Sequence, residues 1–211
     1  MKRLDLDDIE GIPVFGTLVW KPVRRTLGVT AFGINAFTAA NTGDEVVEDH
    51  TEERLGHEEV YVVMTGHATF TVDGAEVDAP AGTVVYLDDP SERRFAVARE
   101  AGTTVLAIGG RPGMHEVSTW EYFAPALPLV AESDYDGARR VLEEGLAARP
   151  DSGPLLFHLA RVEALAGNAD VALERLNDAV GRDEEFAEYF REHPELDESF
   201  ASIRDDPRYP R

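Results

Sequence analysis

Glu48, His50 and Glu52 stand at alternate positions. On an extended strand alternate side chains share a face, so these three would all point the same way. The chain has six histidines and no cysteine. Disulfides, thiolate nucleophiles and cysteine-ligated zinc or iron–sulfur sites are therefore excluded, and any metal ion must be held by His, Asp or Glu. The other histidines are less well placed. His57 stands at the entry to a β-rich run and reads as a loop-to-strand cap. His67 has the parity opposite to Ala68 and Phe70, and His115, His158 and His193 fall in linker or helical sequence. No Ser-His-Asp pattern rises above chance, and Gly109-Gly110-Arg111-Pro112-Gly113 lacks the following helix that a phosphate cradle requires.

The formal net charge of −21 argues against nucleic acid, whose phosphates need a concentrated basic surface. The acidity is spread along the chain and reads as a solvating coat; Lys2 and Lys21 are the only lysines. No apolar run nears the length of a membrane span, and Met1 opens no basic-then-apolar leader. The expectation is a cytoplasmic protein with neither membrane nor nucleic acid as partner.

A β-rich first half must position the candidate residues. Ala68, Phe70 and Val72 alternate with polar residues and end at Asp73-Gly74, a two-residue hairpin signal. Val60–Met64, Thr83–Leu87 and Thr103–Ile108 are further β-rich runs separated by Gly66, Pro80-Ala81-Gly82, Asp89-Pro90 and Ala101-Gly102. Short strands at this spacing favour an antiparallel barrel or sandwich. The strand pattern stops near Gly113, and residues 114–132, with Trp120, Tyr122 and Phe123, read as an aromatic linker packed on the barrel.

From Ser133 the period is helical. Ser133 or Asp134 caps a helix through Ala138, Val141, Leu142 and Leu146 that stops before Pro150. Ala138, Leu142 and Gly145 recur thirty-four positions later as Ala172, Leu176 and Ala179. That period is the spacing of a tetratricopeptide helix hairpin, which the segment resembles. The reading gives at most one complete hairpin flanked by two partial ones, closed by a segment from Phe186 to Arg211 with Phe200 and Tyr209 as staples.

Glu59-x6-Gly66, followed by Gly74-x5-Pro80-x-Gly82, resembles the end of the first and the start of the second conserved motif of cupins. The resemblance implies an α+β chain: a cupin-type antiparallel β-barrel (jelly roll) over 1–113, the linker over 114–132, and a small all-α tetratricopeptide-like domain over 133–211. It also implies departures. Val85 stands where the second motif has its metal-binding His, and Asp89 where it has Asn. Counting back from Glu59 at the family spacing puts the two His positions of the first motif near Glu52 and Arg54. A connecting loop two residues longer puts His50-x-Glu52 there instead, and strand parity favours this second alignment. His50, Glu52 and Glu59 would then be an oxygen-rich set suited to Fe²⁺ or Mn²⁺ and less to zinc, with three protein ligands at best. The opposing reading, that they belong to a solvated acidic rim, stays open.

Within such a barrel Glu59, Tyr61, Val63, Val85 and Arg94 would line a small-molecule pocket, and either Arg93 or Arg94 would meet Glu59 or an anionic ligand. Three functions follow. One is a non-catalytic or regulatory cupin that binds an unidentified small molecule and meets a protein partner through the helices. Another is a metal-dependent oxygenase or isomerase. The third is a structural dimeric adaptor. A homodimer is implied by the resemblance under all three.

Overall fold

The structure, a computed structural model, describes residues 3, 5–14, 17–115, 117–182, 187–188, 190, 192 and 198–210. It divides into two compact units, 1–115 and 116–211. Among the described residues the first unit has ten strands. β1 (Ile12–Val14), β2 (Leu18–Lys21), β3 (Gly33–Thr38), β10 (Thr104–Gly110), β5 (Glu58–Thr65) and β8 (Val84–Leu87) form one antiparallel sheet in that order. A second is ordered β4 (Glu45–His50), β9 (Arg94–Ala98), β6 (His67–Val72) and β7 (Ala75–Pro80). Val46, Tyr61, Val63, Phe70, Leu87 and Val105 meet between the sheets in one apolar core. The fold is thus α+β, with a jelly-roll barrel first and helices after it.

The glycines of the sequence pattern have local causes. Asp73 (φ 48°) and Gly74 (φ 85°) form the two-residue turn that joins β6 to β7. Positive φ at both central positions is what a type I′ hairpin demands, and Asp-Gly supplies it. Gly66 (φ 75°) links β5 to β6 against Thr103, whose Cα would lie 2.7 Å from any Cβ there. Thr103 is buried and its hydroxyl donates to Glu100 O (2.7 Å). No larger residue fits between them.

A short helix α1 (Val23–Leu27) precedes β3. The second unit contains α2 (Trp120–Ala131), α3 (Tyr135–Ala148), α4 (Gly153–Leu165) and α5 (Ala169–Arg182). Asp134 caps α3 by accepting from Gly137 N at 2.9 Å, and Ser152 caps α4 by accepting from Leu155 N. Among the described residues two complete helix hairpins are present, one more than the repeat alone indicated. The extra helix is α2, within the expected linker. It holds Pro125 and Pro128, each of which removes a backbone donor. Tyr122, Phe123, Ala126 and Leu129 pack with Leu142, Leu155 and Leu159, and this burial outweighs the missing hydrogen bonds. Phe200 and Tyr209 are buried with Leu176 and Phe190, as staples would be. Phe186 and His193 lie outside the described residues.

Candidate functional site

The site is built where β4 ends and β5 begins. His50 closes β4, Glu59 is the second residue of β5, and the loop between them carries Glu52. That loop is a tight turn around Glu52, whose N–H donates to Pro90 O (2.9 Å) and whose carbonyl accepts from Leu55 N and Gly56 N. His50 Nε2 lies 3.7 Å from Glu52 Oε1 and 3.6 Å from Glu59 Oε2, and one donor atom from each residue lies within 4.8 Å of the others. His57 reaches the same cluster from its edge, with Nδ1 3.5 Å from Glu52 Oε2. Arg54 is exposed and Glu48, also exposed, lines the cavity edge.

One hydrogen bond defines the chemistry of His50. Its Nδ1 lies 2.7 Å from Glu48 O, and since a carbonyl only accepts, Nδ1 carries the proton. In the neutral ring Nε2 is then a bare lone pair aimed at two carboxylates. Such an arrangement is repulsive unless a cation, a proton or a metal ion, lies between them. Accordingly, Glu59 beside it holds the His50 imidazolium above its usual range, with burial opposing.

Glu59 is the hub. Burial alone would raise its carboxyl, but His50, the Tyr61 hydroxyl that donates to Oε2, and the charge of Arg94 outweigh burial and hold it below the usual carboxylate range. Tyr61 is pushed up, first by its own burial and then by Glu59, so it stays a neutral donor. Arg94 is fully buried with Nε 3.9 Å from Glu59 Oε2. Gly109, the cross-strand partner of Glu59, leaves room for the carboxylate: a Cβ there would stand 3.3 Å from Glu59 Oε1.

A cavity of about 150 Å³ opens beside the cluster, lined by His50, Glu52, Glu59 and Tyr61 together with Asn35 and Phe37. Val63 and Val85 lie in the core, and Arg94 stands behind Glu59. Arg93 is on the surface, paired with Asp49 at 2.6 Å. Asn35 and Phe37 come from β3, which carries no motif; only their alternate spacing on a β-rich segment could have marked them.

The donor set fits a divalent ion. Bonds of about 2.1 Å place neighbouring ligands roughly 3.0 Å apart at right angles and roughly 3.4 Å at the tetrahedral angle, close to the separations at His50. Glu52 turns Oε1 towards His50, and its buried Oε2, which makes no hydrogen bond among the described residues, lies 3.5 Å from His57 Nδ1. One nitrogen and carboxylate oxygens suit Mn²⁺ or Fe²⁺.

Residues 129–191 match the family model of the tetratricopeptide repeat. Among curated proteins, none matches the chain. Solved structures similar to it include a sugar phosphate isomerase from a cupin superfamily of Silicibacter pomeroyi DSS-3. It is 22% identical over 52% of this chain and 76% of that one, with a TM-score of 0.43. KdgF from Halomonas sp. is 18% identical over 52% and 94%, with a TM-score of 0.43. A Cupin 2 conserved barrel domain protein from Salinispora arenicola CNS-205 is 23% identical over 54% and 90%, with a TM-score of 0.42. No helix among the described residues is long and apolar enough to cross a membrane.

Proposed function

We propose that this chain is a two-part binding protein, in which the cupin-like barrel takes a small molecule beside His50, Glu52 and Glu59 and the tetratricopeptide-like unit meets a protein partner. The observation that carries the reading is the cavity joined to His50, Glu52 and Glu59, one donor atom of each lying within 4.8 Å of the others. Val85 supports a regulatory role over a catalytic one, because the resemblance to cupins implies a metal-binding His at that position and valine supplies no ligand. The exposed Trp120 and Leu127 on α2 offer the helical unit's partner an apolar contact. Val84 and Tyr86, exposed on the edge strand β8, favour a homodimer.

A bound ion would polarise an oxygen of the ligand and fix its position. The second reading, a metal-dependent oxygenase or isomerase, is favoured by the three-residue convergence, since three protein ligands leave open positions for a substrate. Protein purified without a chelating tag is expected to take up one Mn²⁺ or Fe²⁺ per chain. His50→Gln and Glu52→Gln should each weaken that uptake by about 100-fold or more. Metal analysis and isothermal titration check this, and a wild-type protein that takes up neither ion sinks the metal reading. A thermal-shift screen against organic acids and sugars then tests the small-molecule reading, with silence favouring a structural adaptor.

Gly109→Val is expected to keep the barrel folded and weaken Mn²⁺ uptake about tenfold, because the new side chain displaces the Glu59 carboxylate. Unchanged affinity would show that Glu59 does not need the space Gly109 leaves.

A further inference from the structure

The charge of the cluster specifies what can lie in it. A neutral His50 with ionised Glu52 and Glu59 sums to −2, and a divalent ion brings that sum to zero. Arg94 adds a further +1. It sits between the sheets with no exposed surface, and among the described residues none of its Nε, Nη1 and Nη2 atoms makes a hydrogen bond. The carboxylate nearest to it, Glu59, stands 3.9 Å away and already accepts from Tyr61. A surplus charge in a low-dielectric interior is costly unless something of opposite sign compensates it.

We propose that Arg94 makes the barrel selective for a small monoanion, a molecule bearing one carboxylate, over its neutral counterparts. The inference rests on the divalent-ion reading of the site. Without Arg94 the ion and its three ligands sum to zero; with it the sum is +1, which one carboxylate neutralises, while Glu48 at the cavity edge is exposed and its charge is screened by solvent. The cavity sets the size. At about 150 Å³ it has room for a carboxylic acid of a few carbons. Arg94 does not line the cavity, so it acts as a positioning residue, through its fixed charge behind Glu59 and not through direct contact.

Lactate and lactamide have nearly the same shape and differ by one charge. Isothermal titration of Mn²⁺-loaded protein with each should give a ratio of affinities at least tenfold larger in wild type than in Arg94→Met, with Mn²⁺ bound in both. Arg94→Lys, which keeps the charge, should retain most of the wild-type ratio, a result that a merely structural role for Arg94 would not give. Arg94→Gln, neutral but able to donate to Glu59, makes the same comparison should the methionine variant fail to fold. An equal ratio in wild type and the neutral variants overturns the inference while leaving the ion site standing. A wild type that takes up no Mn²⁺ overturns the ion site and the inference with it.

Discussion

Glu59→Ala is expected to destabilise the barrel unit by about 3–5 kcal/mol, far more than the loss of a surface carboxylate would. The cause is Arg94. Removing one partner of a buried pair leaves the other charge uncompensated, and a fully buried guanidinium cannot turn outward to water. The Glu59 side chain is only 13% exposed, so screening by solvent gives little relief. Arg94→Met should cost less, because Glu59 then keeps Tyr61 and His50 as partners. The double variant Glu59→Ala/Arg94→Met should recover a large part of the loss, since an apolar replacement of both partners removes the desolvation cost along with the attraction. Native-state hydrogen exchange of β5 and β9 reads all three variants within the barrel itself. A Glu59→Ala cost below about 1 kcal/mol would mean that Arg94 is compensated by groups other than Glu59. The same reasoning governs the ion experiments: loss of Mn²⁺ uptake in Glu59→Ala would confound unfolding with ligand loss, so His50 and Glu52 are the better positions to vary.

The register of the barrel was legible where turn chemistry fixes it. Asp73-Gly74 reads as a two-residue hairpin because few other residue pairs tolerate positive φ twice, and it is one. Glu59 and Gly66 keep their spacing because β5 runs from Glu58 to Thr65 and must turn against Thr103. Parity on one strand would have grouped Glu48, His50 and Glu52; β4 instead ends at His50, Glu52 reaches the cluster from the loop, and Glu48 is exposed. Arg94 was harder to place. In Arg94-Phe95-Ala96-Val97-Ala98 the large apolar residues invite the inward face, yet Arg94, Ala96 and Ala98 are the buried ones. Ala96 and Ala98 put small side chains on that buried face, and a guanidinium fills it at the strand's start. Helix α2 was hidden for a different reason. Its two prolines are local evidence against a helix, and the apolar face that offsets them is recognised only once α3 and α4 lie beside it.

In the helical unit, Arg139→Met is expected to cost about 3–5 kcal/mol, more than Glu163→Met, although the two residues form one pair. Arg139 donates to both carboxylate oxygens of Glu163, at 2.6 and 3.0 Å, and joins α3 to α4; Asn168 donates to the same carboxylate at 2.7 Å. The partners differ in their access to water. Arg139 is 25% exposed and also pairs with Asp136, so without Glu163 it turns to solvent at modest cost. Glu163 is 6% exposed, so without Arg139 its carboxylate stays buried with Asn168 and the more distant charge of Arg175. Acidity separates the two proteins further. In wild type, Arg139 holds the Glu163 carboxyl below the usual carboxylate range, against its own burial. A depressed folded value means that this stability is fully present above the unfolded pKa of about 4.3 and is lost as pH falls below it. In Arg139→Met the largest opposition to burial is gone while Asn168 and Arg175 still favour the ionised form, so the folded value moves up towards the unfolded one. The variant should therefore lose less stability than wild type as the pH falls from about 7 to about 4. Urea midpoints across that range, compared with those of Glu163→Met, which has no carboxyl to titrate, measure the effect. Parallel pH dependences in wild type and Arg139→Met would show that the pair is solvated and contributes little.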